Sequence, residues 1–285
     1  MPNGHDMTVS SNKILVLGGT GKTGRRIVDL LRAREADVRV GSRGADPGFD
    51  WEDPATWAPA LRDVDKVYVS FFPDLAVPGA PAAIRAFTEA AASAGVRHLV
   101  LLSGRGEEEA QVCERVVADS GIAWTVVRAS WFSQNFSEGY LVGPVLEGQV
   151  VLPVGDVGEP FVDADDIAEV AVAALTEDGH HGQTYEVTGP RLLTFADAVA
   201  EIAAATGRRV DFATVGADEY AKALEEAGLP AGDIDFLIYL FTTVLDGRNA
   251  RVEDGVRRVL GRAPRDFADY ARATAATGAW NRETS

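Results

Sequence analysis

Lys13-Ile14-Leu15-Val16-Leu17-Gly18-Gly19-Thr20-Gly21-Lys22-Thr23-Gly24 is the stretch on which the fold turns. Its apolar half, Ile14 to Leu17, reads as a buried parallel strand. Its glycine half fits two overlapping spacings, G-x-G-x-x-G from Gly19 and G-x-x-G-x-x-G from Gly18. Next comes Arg25 to Arg34, which puts Ile27, Leu30 and Leu31 on one face of a helix. Strand, glycine turn and helix in that order open a βαβ unit, and there each glycine has a task. The turn off the strand is tight. One glycine leaves room for pyrophosphate against the backbone, and the last lets helix and strand pack closely. The helix start then offers free N–H groups and a positive dipole end to phosphates. Gly21-Lys22-Thr23 also suggests a triphosphate loop, but that motif needs a glycine five positions earlier, where Val16 lies in the strand.

The same rhythm continues outward. Val38-Arg39-Val40, Lys66 to Phe71, His98 to Leu102 and Trp124 to Val127 read as strands. Pro81 to Ala94 and Glu107 to Ser120 read as helices between them, with Gly95 suited to close the first. Alternation of this kind predicts an α/β, Rossmann-type doubly wound parallel sheet with helices on both faces. After about residue 140 the pattern changes. Asp163 caps a helix carrying Ile167, Val170, Ala171 and Ala174, Thr184 to Val187 is strand-like, and Thr194 opens another helix. Ile234 to Leu245 is very apolar and lines a core or a pocket. These features predict a loose tail over 1–12, a cofactor domain over 13–140 and a smaller, mostly helical cap over 141–285, interleaved with the core.

Composition narrows the partners. The net charge of −16 over 285 residues argues against direct nucleic-acid binding and against an anionic membrane surface. No apolar run is long enough to span a bilayer, and the polar N-terminus has no signal-peptide core. Cys113 is the one cysteine, on the apolar side of its helix, which fits an inert thiol in a reducing, cytoplasmic setting. No His/Cys cluster has metal-ligand spacing, so no metal is expected; the acids Asp163, Asp165 and Asp166, and likewise Glu107, Glu108 and Glu109, read as helix-start capping and dipole compensation. Glu114 and Arg115 read as a solvated helix face.

The second strand ends in Gly41-Ser42-Arg43. Sites that prefer NAD carry an acid there for the ribose hydroxyls. Its absence, with Arg43 about 20 residues past the loop, points to NADP(H), whose 2′-phosphate a guanidinium can take in bidentate fashion. Lys22 or Arg25 is placed to assist.

With these residues in view, the chain resembles the NmrA-like atypical short-chain dehydrogenases. The resemblance rests on the glycine loop, Asp50-Trp51-Glu52-Asp53, Val69-Ser70-Phe71-Phe72-Pro73-Asp74, Leu101-Leu102-Ser103 and Trp124-Thr125-Val126-Val127-Arg128. Trp131-Phe132-Ser133-Gln134-Asn135-Phe136-Ser137-Glu138-Gly139, Pro160 to Ala168 and Tyr185 to Pro190 extend it over roughly 13–210. The Gly-Gly-Thr-Gly-Lys-Thr run, Gly-Ser-Arg and the Trp131 segment resemble the ergot-alkaloid branch, whose festuclavine and agroclavine dehydrogenases reduce an iminium with NADPH. The resemblance implies that Gly18, Thr20, Gly21, Lys22, Thr23 and Gly24 hold pyrophosphate and that Ser42 and Arg43 hold the 2′-phosphate. It places Asp50 and Trp51 near adenine, Phe71 and Phe72 along the groove, and Ser103 near the nicotinamide ribose. It places Trp131, Phe132 and Asn135 where substrate meets nicotinamide.

One departure bears on the chemistry. The Tyr-x-x-x-Lys pair of short-chain dehydrogenases falls on Gly106 and Ala110, and Gly104 to Gly121 holds no tyrosine or lysine. The expectation is an NADPH-dependent reductase that passes hydride to a small organic acceptor such as an iminium or a quinone, acting as a monomer or homodimer. Trp131, Phe132, Phe136, Tyr140, Phe161, Phe236, Tyr239 and Phe241 would supply a flat aromatic pocket, with Tyr140 or Tyr239 as a proton source. The alternative is a non-catalytic redox sensor that binds the cofactor and signals to a protein partner.

Overall fold

The structure, a computed structural model, describes residues 12–281. The tail expected over 1–12 lies, except for Asn12, outside the described residues. The chain runs β1 (Ile14–Leu17), α1 (Lys22–Ala33), β2 (Val38–Gly41), α2 (Trp57–Leu61), β3 (Lys66–Val69), α3 (Ala80–Ser93), β4 (His98–Gly104), α4 (Glu108–Ala118) and β5 (Ala123–Ala129). It continues through α5 (Asn135–Glu138), α6 (Val142–Glu147), β6 (Gln149–Leu152), α7 (Ala164–Thr176), β7 (Gln183–Val187), α8 (Phe195–Thr206) and β8 (Asp211–Thr214). Four helices close it: α9 (Ala217–Glu226), α10 (Ala231–Tyr239), α11 (Gly255–Leu260) and α12 (Phe267–Ala276).

Six strands form one parallel sheet in the order β2-β1-β3-β4-β5-β7. Its core follows from the period-two alternation of side chains along a strand. Leu15 and Leu17 face one side, with Val67, Val69, Leu99 and Leu101, and pack on Ile84, Phe87 and Ala91 of α3 and on Ala110, Cys113 and Val117 of α4. Ile14 and Val16 face the other side, with Tyr68, Val100 and Val127, against Ile27, Val28 and Leu31 of α1 and Ile167, Val170 and Ala171 of α7. The doubly wound layering expected from the sequence is therefore present. The chain goes from β1 to β2 on one side and returns to β3 on the other, so the strand order reverses at β1 and opens a crevice at the carboxyl ends of the strands.

Beyond residue 140 the chain both leaves the sheet and rejoins it. Asp163 accepts a hydrogen bond from the Asp165 N–H and starts α7, which packs beside α1, and β7 then pairs with β5 in register Thr125 to Gln183. A third core gathers the remaining pieces around Phe136, Phe161, Phe195, Phe241, Phe267 and Trp280. It includes a two-stranded parallel sheet, β6 with β8, which a reading of mostly helices did not include. Thr194 and Asp197 form a reciprocal capping box at α8. The apolar run from Ile234 is α10 continued by a π-helical turn, Leu240–Val244. Among the described residues no helix is long and apolar enough to cross a membrane.

Asp166 corrects the reading of its acidic run. Asp163 does cap and Asp165 does lie in the first turn, but Asp166 is fully buried. Its carboxylate accepts from Arg262 (2.7 Å) and from the Arg265 backbone N–H (2.7 Å), which ties α7 to the segment after α11.

Candidate active site

The glycine loop sits at the end of β1, and its glycines separate by task. Gly18 has φ +63°, the left-handed region. A Cβ on Gly24 would stand 2.1 Å from the Gly18 carbonyl oxygen, so this position lets α1 lie against the turn. At Gly21 a Cβ would meet only the Gly18 oxygen, at 3.2 Å, and the Gly21 N–H donates to that same oxygen to close the turn. Gly21 is the N-cap of α1, no side chain caps the helix, and its first turn carries no acid. The first N–H groups are thus left for an outside anion, and nothing repels one. Exposed Thr20 stands at the same edge. These features fit a dinucleotide pyrophosphate.

Thr23 and Lys22 point elsewhere than at a phosphate alone. The Thr23 hydroxyl is buried and accepts from the Tyr68 hydroxyl at 2.9 Å, which anchors the loop to β3. Lys22 Nζ donates to Asn135 Oδ1 at 2.9 Å, and burial lowers its pKa. Arg25 and Arg26 are both held by Glu138, and Arg26 also by Asp165 at 2.5 Å. Arg25 is thus already paired with an acid. Ser42 and exposed Arg43 line the groove just past β2. Asp50 and Trp51 follow. The Asp50 side chain accepts from the Glu52 N–H (3.1 Å), and the Trp51 indole donates to the Ser70 carbonyl (3.0 Å) while its ring lies 4.9 Å from Phe71. Phe72 is 71% exposed, an aromatic lip on the groove.

From the loop the groove runs without a break into a second half, and together they enclose about 720 Å³. That lies in the range of small-molecule and cofactor sites. The second half is lined by Ser103, Trp131, Phe132, Asn135 and Tyr140, joined by Phe236, Leu237, Leu240 and Val244 from the cap. Phe161 is a correction. It does not line the cavity but is buried in the third core, 5.0 Å from Phe195 and 5.5 Å from Phe267. The isolated bridge of Phe132 to Val162 turns the Phe161 side chain to the other side of its segment. Phe136 and Phe241 belong to the same core, and the Tyr239 hydroxyl reaches Glu109 (3.4 Å) outside the cavity. Tyr140 remains: as a residue it is 39% exposed to the open pocket, but its hydroxyl is crowded by protein, first by burial and then by Tyr220, which pushes the phenol up.

Several residues that decide the electrostatics were not identified from sequence. Glu114 is not on a solvated face. It is buried, accepts from Ser103 Oγ at 2.6 Å and from Arg128 Nε at 2.9 Å, whereas its neighbour Arg115 is exposed. Arg128 continues to Glu186 (2.8 Å), and Glu186 to buried Arg105 (3.0 Å), which also holds Ser130 (2.9 Å). Glu107 is not a dipole-compensating acid. It is buried on the cavity wall against Asp74, folded so closely over Gly104 that a Cβ there would meet its carboxylate at 2.2 Å. Burial and then Asp74 push the Glu107 carboxyl well up. Glu159, also on the wall, is 2% exposed, and burial pushes it up to about 7, against the partial pull of the Trp131 N–H and Arg105. Only their position after Gly104, for Glu107, and before the Pro160 motif, for Glu159, could have drawn attention to them. Cys113 is buried, and desolvation pushes its thiol up to about 12, as an inert core residue requires.

Comparison with known proteins agrees with this geometry. Residues 18–178 match the sequence pattern of the NAD(P)H-binding family. An NAD(P)H azoreductase from Xenophilus azovorans is 34% identical over 92% of this chain and 98% of its own. Agroclavine dehydrogenase from Claviceps fusiformis is 32% identical over 90% of this chain and 95% of its own. An NADPH-dependent quinone oxidoreductase from Escherichia coli, crystallised with NADPH, shares the fold with a TM-score of 0.78 at 24% identity, over 91% of this chain and 99% of its own. A match over more than half of the sequence, on a loop built for a dinucleotide, means that this chain belongs to the NAD(P)H-binding family.

Proposed function

We propose that the protein is an NADPH-dependent reductase that passes hydride to a flat, conjugated small molecule. Relatives named as a reductase and a dehydrogenase span nine tenths of the chain and make it an oxidoreductase. The observation that carries the finer reading is the continuity of one cavity from the phosphate loop to an aromatic wall, so that a cofactor and an acceptor fit end to end. Ser42 and Arg43 favour the 2′-phosphate form. When bound, the cofactor supplies a hydride.

The chain supplies position. The N-terminus of α1 takes the pyrophosphate, and Gly18 and Gly21 let it approach. The Ser103 proton is committed to Glu114, so toward the cavity Ser103 Oγ offers lone pairs, suited to a ribose hydroxyl or an amide N–H. Trp131, Phe132 and Tyr140 present apolar ring area to a planar acceptor and exclude water from it. With no tyrosine or lysine between Gly104 and Gly121, a ketone cannot take its proton from the usual dyad.

Calorimetric titration with NADPH and with NADH, followed by NADPH oxidation with iminium and quinone acceptors, tests the reading. The expected result is NADPH binding at least about tenfold tighter than NADH and turnover of one acceptor class. Binding without turnover of any acceptor would favour a redox sensor, and binding of neither cofactor would defeat both readings.

A further inference from the structure

Among the described residues, four buried side-chain polar atoms lack a hydrogen-bond partner: Arg105 Nη2, Glu107 Oε2, Trp131 Nε1 and Glu159 Oε2. All four belong to residues on the wall of the groove described above. Arg105 Nη2 still faces the Glu253 carboxylate at 3.6 Å, and Glu107 lies against the Asp74 side chain. The other two belong to Glu159 and Trp131, residues of the acceptor half that touch through the Trp131 backbone. Glu159 Oε1 accepts from the Trp131 backbone N–H at 3.3 Å, and the Glu159 backbone is pinned by paired hydrogen bonds to Leu193 (2.8 and 3.0 Å). Its second oxygen has the Ser130 hydroxyl nearby and the Trp131 indole N–H has the Tyr140 hydroxyl nearby, yet both atoms are buried and neither forms a hydrogen bond of normal geometry. A buried polar atom without a partner is costly and marks a place where a ligand completes the bonding.

We propose that Glu159 is the proton donor of this site, that the Trp131 indole N–H holds the acceptor's oxygen beside it, and that the substrate is a neutral quinone rather than an iminium. The inference rests on the reductase reading above. An iminium brings no lone pair for an indole N–H and needs no proton. A quinone oxygen can accept from both groups. The balance is complete: the quinone gains a hydride at one end of its conjugated system, the electron pair of the opposite C=O π bond moves to its oxygen, and the Glu159 O–H bond breaks as that oxygen gains the proton. NADPH is oxidised to NADP⁺, the quinone is reduced to the hydroquinone, and the carboxylate recovers its proton from solvent. Burial keeps the acid half-loaded near neutrality. The charged group facing it is Arg105, from the loop after β4; Ser130 and Trp131 from the loop after β5 and Leu193 before α8 carry no charge, and the Tyr140 phenol near Trp131 is pushed up, away from neutrality.

The test compares the full chain with Glu159→Gln and Trp131→Phe, using NADPH and 2-methyl-1,4-naphthoquinone. For the unaltered protein, kcat should fall as pH rises through about 7 and show a solvent deuterium isotope effect. Glu159→Gln should lose about a hundredfold in kcat and the pH dependence, with NADPH affinity unchanged. Trp131→Phe should raise KM more than it lowers kcat. The cofactor-free protein should show an infrared carboxylic-acid band that titrates near 7 and is missing from Glu159→Gln. If that variant does not fold, the band and the isotope effect in the unaltered protein decide. Quinone turnover that Glu159→Gln leaves intact, or a rate that climbs with pH as for a carboxylate counter-ion, overturns this proposal alone. NADPH binding with no acceptor reduced overturns the reductase reading with it.

Discussion

Arg43 stands exposed at the mouth of the groove, on the residue position where an acid would select NAD. Its neighbours in charge are already committed: Arg25 and Arg26 to Glu138, and Lys22 to Asn135. Among the described residues Arg43 has no ion-pair partner, so its charge is available to a ligand phosphate. Replacing Arg43 with alanine should weaken NADPH by about tenfold, roughly 1.4 kcal/mol, and leave NADH unchanged. Calorimetry with both cofactors at one salt concentration checks it, since the effect of an exposed charge depends on screening. Equal losses for the two cofactors would move the role of Arg43 from phosphate recognition to loop structure. Ser103 shows the opposite case, a hydroxyl whose direction is set from behind by Glu114 and Arg128.

The strand, turn and helix that open the fold make a joint claim that can be tested at Gly24. A methyl group there would overlap the Gly18 carbonyl carbon (2.7 Å) and oxygen (2.1 Å), both backbone atoms that cannot swing aside. Gly24→Ala should therefore push α1 away from β1, lower stability by about 2 kcal/mol or more and abolish cofactor binding; thermal unfolding and titration report the two effects. Normal stability with full binding would show that the loop has slack. This unit was legible in the sequence because its signals are local: a continuous apolar run over Ile14 to Leu17, buried at every position, glycine spacing, and an apolar helix face. The helix still starts at Lys22, three residues before the apolar periodicity reveals it, because its first turn faces the ligand edge and needs no apolar side chain. Glu114, Glu107, Asp74 and Glu159 were not legible for the opposite reason. Each owes its state to a partner on another element, and nothing near Glu114 announces Arg128, just as nothing near Glu159 announces Trp131. Phe161 failed in the same way, since a motif placed it near substrate while the packing of Phe195 and Phe267 decided its side.

Over the whole molecule, the half-buried and buried acids divide into two opposed sets, which fixes how stability follows pH. Against the cost of burial, Arg26 and Arg25 hold Glu138 low, Arg262 and Arg265 hold Glu169 low, and Arg105 and Arg128 hold Glu186 low. Those contributions are present above the ordinary carboxylate range and are lost as pH falls through the lowered values. Glu159 runs the other way. Burial raises it from 4.5 to about 7, so between those values the folded chain keeps a proton that the unfolded chain has released. Stability from this group is whole below 4.5, is lost as pH rises toward 7, and is flat above it; the full loss is about 3 kcal/mol. The paired carboxylates, Glu107 and the repulsion of a net −16 chain all act on the same curve, so the unaltered protein alone does not isolate the term. The difference between it and Glu159→Gln does, because every other group cancels to first order. Urea unfolding of both at about pH 5 and about pH 8 should show the unaltered chain losing about 2.5 kcal/mol relative to the variant on going to the higher pH. A difference that does not change with pH would mean that Glu159 is ionised throughout, and the cavity would then hold a fixed negative charge where an acid proton is required.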